Sequence, residues 1–114
     1  MKKIVVIISK PPFNTIRSSE ALRCAVGLTL EDENRVSVLF LGDGALTASS
    51  LTTKRAEELG WRKHIETLEM MEAELVAEKE ASERYGLELS EPIKIEPKEK
   101  IYQAIMEADS IIPF

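Results

Sequence analysis

Residues 2–15 read KKIVVIISKPPFNT, and the reading of this stretch decides the fold. Ile4 to Ile8 is an unbroken run of five β-branched apolar residues. Such a run suits a strand buried on both faces, as in a parallel sheet covered by helices. Pro11 and Pro12 end the strand, because proline cannot donate to a sheet ladder. Asn14 or Thr15 can then cap a helix. A strand, a loop and a helix start follow one another here, and loops of this kind line ligand crevices in open α/β sheets.

Working outward, Leu22, Ala25, Val26 and Thr29 recur at helical spacing and predict one apolar face between Thr15 and about Leu30. Glu31 to Asn34 is a polar turn. In RVSVLFLGDG, residues 35–44, Val36 and Val38 to Leu41 read as a second buried strand. Gly42-Asp43-Gly44 closes it with residues that tolerate positive φ. Two apolar strands around one helix make a βαβ unit, whose crossover is right-handed in nearly all proteins. Ala45 to Thr53 reads as a mobile connection or a weak short helix, and Lys54 to Leu59 as a further turn stopped by Gly60.

Trp61, Ile65, Leu68 and Met71 carry the next helical stripe. Continued, the stripe reaches Leu75 and then meets Glu78 and Lys79, which are polar. With no Gly or Pro to interrupt it, local pattern favours one long helix to about Tyr85. The competing reading is a short strand at Glu74–Ala77 and a new helix from Lys79 to Tyr85. Gly86 stops a helix under either reading. Pro92 to Glu96 alternates like an edge strand, and Pro97 opens a helix carried by Ile101, Ala104, Ile105 and Ala108. Ser110 to Phe114 forms a closing strand that Pro113 confines to an edge or a strand end. Strands alternating with helices predict a three-layer α/β/α sandwich.

A chain of 114 residues is one domain's length. Its net charge of −5, with no Lys/Arg block, argues against binding to a nucleic acid backbone. The single cysteine excludes an internal disulfide and a Cys-rich metal site, and fits a reducing compartment. The apolar run after Lys2-Lys3 is too short for a signal peptide core of roughly 7–15 residues. No run approaches the roughly 18 apolar residues of a membrane span. The expectation is a soluble, cytoplasmic protein with no membrane partner.

The best place for a ligand is the loop from Lys10 to Thr15, where Lys10, Asn14, Thr15 and free helix-start N–H groups could hold an anion. The same residues could simply shape a turn. Asp43, in Gly42-Asp43-Gly44, borders that edge, but the spacing is not that of a GxGxxG or Walker loop. His64 has no Cys or His at ligand spacing and reads as a surface residue. The carboxylates from Glu66 to Glu83 read as a solvated face rather than a metal or acid–base site. Trp61 fits either a core anchor or an interface. Neither a cofactor nor a metal is expected.

Taken in order, these residues resemble the DsrE/DsrF-like family of small sulfur-relay proteins. The features are the apolar first strand, Pro11, Pro12 and Thr15 in the following loop, and Glu20 and Leu22 in the first helix. FLGDG at 40–44, ERYGL at 83–87 and ADSIIPF at 108–114 complete the set. The resemblance implies a five-stranded parallel sheet of order 4-3-2-1-5 across a single 1–114 domain. It also implies a third strand before ERYGL, placing it at Glu74–Ala77. Sulfur-relay members carry an acceptor cysteine just after that strand, at the position that Glu78 occupies here. The resemblance thus implies a non-catalytic or structural subunit. Such a subunit would be a homo-oligomer (trimer or hexamer) or would stand beside a cysteine-bearing DsrE-like subunit. Cys24 is the remaining thiol. At about 100° per residue it lies opposite Leu22, Ala25 and Val26, so it reads as an incidental surface or interface cysteine. The alternative is a small-molecule or anion-binding module that uses the Lys10–Thr15 loop.

Overall fold

The computed structural model describes residues 2–10, 17–49, 61–87, 89 and 93–114. Five strands form one parallel sheet: β1 (Lys2–Ile8), β2 (Asn34–Phe40), β3 (Glu74–Glu78), β4 (Lys94–Glu96) and β5 (Ser110–Pro113). Their order is β4-β3-β2-β1-β5, and every neighbouring pair is parallel. The described helices are α1 (Arg17–Leu28), α2 (Gly44–Ser49), α3 (Trp61–Met70), α4 (Lys79–Arg84) and α5 (Lys98–Glu107). The α/β class, the order 4-3-2-1-5 and the strand at Glu74 are as the resemblance implied.

Register explains why the first strand reads as continuously apolar. Val6 aligns with Val38, and Val38 with Leu75, while Ile8 aligns with Phe40 and Phe40 with Ala77. These rows face Leu22 and Ala25 of α1, Ala48 of α2, and Ile65 and Leu68 of α3. The alternate residues Val5, Leu39 and Val76 face the other way, onto Ile101 of α5. Strand β1 is thus buried on both sides, as Ile4–Ile8 requires. A fully buried Leu68 or Leu22 contributes about 2 kcal/mol through lost apolar exposure. The two edges are β4 and β5, of three and four residues, too short to template pairing with another chain.

Local pattern misread the segment after Leu68. The helix stops at Met70 because Glu72 adopts a left-handed backbone, φ 62°. The Glu72 N–H donates to Glu69 C=O at 3.0 Å and the Ala73 N–H to Leu68 C=O at 2.9 Å, the two bonds of a Schellman stop. The chain then turns into β3, and Met71 lies in an exposed turn instead of continuing the core stripe. Gly44–Ser49 is a formed helix, which agrees with the short-helix alternative for the first residues of Ala45 to Thr53. Pro97 sits one position before α5, as its N-cap, with φ −67° and ψ 153°. The proposed turn at Lys54–Leu59 lies outside the described residues.

Candidate functional site

The carboxyl-terminal edge of the sheet gathers the ends of β1, β2, β3 and β5. Strands β1 and β5 meet where the Ser9 N–H and hydroxyl both donate to Phe114 C=O, at 3.2 and 3.0 Å. The Leu41 N–H donates to Ile8 C=O at 2.9 Å, joining the end of β2 to the end of β1. Gly44 then brings the start of α2 against β1. A Cβ at this position would lie 1.8 Å from Ile8 O, so only glycine permits the approach. Gly42, at φ 53°, turns its N–H sideways, where it donates to Glu78 Oε2 at 3.4 Å.

Glu78 ends β3 and is the N-cap residue of α4, yet its side chain makes no capping bond to that helix. Its carboxylate reaches across to the β2–α2 turn instead. The Ser82 hydroxyl donates to Glu78 C=O at 2.9 Å, which fixes the backbone from the α4 side. Glu78 is half-buried. Asp43, one residue beyond Gly42, accepts a hydrogen bond from the Tyr85 hydroxyl. That bond raises the Tyr85 pKa above its usual 10.0, with smaller contributions from burial and the Asp43 charge, while Arg84 pulls the other way. Asp43 and Glu78 therefore tie the β2–α2 turn to both ends of α4.

Among the expected site residues, Glu78 and Asp43 are brought to one turn. Lys10 is exposed, and its carbonyl accepts from the Thr47 hydroxyl at 3.2 Å. Asn14 and Thr15 lie outside the described residues, as does the side chain of Trp61. Cys24 is half-buried on α1. His64 is also half-buried, on α3, and its pKa is lowered by burial and then by the nearby Arg23. No group of three or more His, Cys, Asp or Glu among the described residues could hold a metal ion. Tyr85 was missed as a site residue, because ERYGL reads locally as a helix end. The signal available was its position one residue before the Gly86 stop, where a helix terminus meets the sheet edge.

The chain belongs to the DsrE/DsrF-like family, whose model matches residues 2–114. Among solved structures it is similar to the ychN protein of E. coli, with a TM-score of 0.87 and 22% identity across all of both chains. It is also similar to a conserved protein of unknown function, BT1422, from Bacteroides thetaiotaomicron. That match has a TM-score of 0.71 and 9% identity, and covers 99% of this chain and 95% of the other. At these identities the two likenesses show the fold alone. No curated protein sequence matches the chain.

Proposed function

We propose that this protein serves the sulfur-relay chemistry of its family without carrying sulfur itself. It works in the cytoplasm as a non-catalytic subunit, in a homo-oligomer (trimer or hexamer) or beside a cysteine-bearing family member. The observation that carries this reading is Glu78 at the end of β3, eight residues before Gly86, where the family resemblance puts the acceptor cysteine. Taking up sulfane sulfur requires a thiolate to attack the donor and form an S–S bond, with the donor leaving on its electron pair. A carboxylate forms no such bond. It is suited to accept a hydrogen bond, as it does from Gly42.

Cys24, the chain's single cysteine, is a poor substitute. It sits within α1, half-buried, rather than at the strand end where the loops converge. No helix among the described residues is long and apolar enough to cross a membrane, which agrees with work in solution. The test is to mix the purified protein with a persulfide-loaded sulfurtransferase and measure intact mass. The expected result is no added sulfur, and stoichiometric loading would refute the proposal.

A further inference from the structure

The amino-terminal edge of the sheet, opposite the edge that holds Glu78, gathers negative charge around exposed apolar side chains. In a parallel sheet each crossover helix runs back against its strands. Helices α1 and α3, packed on one face through Leu22, Ala25, Ile65 and Leu68, therefore both end at this edge. Their carboxyl-terminal ends carry the negative end of the helix dipole, and neither has a basic residue in its last turn. Between the two ends lies a cavity of about 210 Å³, lined by Thr29, Glu31 and Asp32 after α1 and by Met71 and Glu72 after α3. Leu30 and Met70, the chain neighbours of these residues, are 72% and 77% exposed, and Met71 is 42% exposed. Glu33 and Glu69 are exposed beside them. The cations at the strand starts, Lys2, Lys3 and Arg35, are fewer than these five carboxylates.

We propose that this end of the molecule docks a cationic amphipathic helix of a partner protein. Its apolar side chains lie against Leu30, Met70 and Met71, and its Lys or Arg side chains meet the carboxylates around them. Exposed apolar side chains rimmed by charge mark interaction surfaces, and an amphipathic helix is read through such a combination. Methionine, unbranched and polarizable, adapts to a partner's shape.

Charge selects the occupant. A basic partner meets opposite charge at this edge, which speeds encounter and rejects other partners. A second copy, itself carrying a net −5, would set these carboxylates against its own. An anionic membrane or a nucleic acid backbone would be repelled. Among the described residues no three carboxylates converge to hold a metal ion, so the charge is spread as a row of side-chain cations requires. The inference stands apart from the reading of Glu78, because the surface lies at the other edge of the sheet and has no part in sulfur loading.

Fluorescence anisotropy with a labelled amphipathic peptide of Leu and Lys tests the proposal, with its Leu and Glu counterpart alongside. Circular dichroism checks the fold of each variant. The Leu/Lys peptide should bind saturably, at one site per chain, and the Leu/Glu peptide should not bind. Glu69→Lys with Glu72→Lys should weaken binding about tenfold or more, and Leu30→Ser with Met70→Ser about tenfold, as loss of anchoring contacts does. Glu83→Lys with Glu99→Lys makes the same change in net charge at exposed positions on α4 and α5, and should leave binding unchanged. Absence of saturable binding would overturn the proposal. So would binding that the two edge variants leave intact, or that the Glu83 and Glu99 control weakens equally. Self-assembly that Leu30→Ser with Met70→Ser dissolves, seen by sedimentation velocity, would give the surface to a second copy and also overturn it. Sulfur loading, measured separately by mass, decides the non-catalytic reading whatever the peptide does.

Discussion

Single residues at the β2–α2 turn do unlike jobs within three positions. Gly42 aims an N–H at Glu78, Asp43 receives Tyr85, and Gly44 lets α2 touch β1. Gly44→Ala should lower unfolding free energy by roughly 2–3 kcal/mol, the scale of forced overpacking, because the added methyl meets backbone that cannot rotate away. Chemical denaturation would measure it. Asp43→Asn removes the charge that holds the Tyr85 proton. Ultraviolet titration of the phenol should then show the Tyr85 pKa falling toward 10.0. The sign follows from which form the carboxylate favours. Asp43 accepts a bond from neutral Tyr85 and repels the phenolate, so the folded protein holds that proton to higher pH than an unfolded chain does. An unchanged titration would mean that the bond is absent in solution.

At the scale of elements, two helices end in the same motif and only one of them was legible. After α4, the Gly86 N–H donates to Glu83 C=O at 3.1 Å and the Leu87 N–H to Ser82 C=O at 2.8 Å, with Gly86 at φ 63°. Glycine there announces the stop. After α3 the same two bonds form around Glu72, whose side chain gives no such signal. The pattern from Trp61 therefore read as one long helix, and family resemblance was needed to place β3. A left-handed backbone costs a residue with Cβ about 1–2 kcal/mol, part of which glycine's freedom in the unfolded chain would offset. Glu72→Gly should thus raise stability by up to about 1 kcal/mol, with Gly86→Glu shifting it the opposite way. Thermal or urea unfolding of both variants checks the pair.

For the whole molecule, the interior strands β1 and β2 were readable because burial on both faces demands apolar runs, unbroken at Ile4–Ile8 and interrupted by Ser37 alone in Val36–Phe40, whereas the interior strand β3 was not. The edge strands were readable from alternation at Ile93–Ile95 and from Pro113. The links across the carboxyl edge were not readable. Gly42 to Glu78 and Asp43 to Tyr85 join residues more than thirty positions apart, and nothing local in the sequence encodes such a contact. How the described helices divide between the two faces of the sheet was equally hidden, since nothing local in the sequence says which face a helix takes. Together these features describe a DsrE/DsrF-like scaffold with the Glu78 carboxylate at the end of β3, where the proposed function sets an oxygen acceptor in place of a sulfur nucleophile. The most direct measurement of that claim is intact mass after exposure to a persulfide-loaded sulfurtransferase, for the wild type and for Glu78→Cys in a Cys24→Ser background. The account predicts an unchanged wild type and a variant heavier by one sulfur atom. A wild type that gains one sulfur per chain, and loses that ability in Cys24→Ser, would contradict it.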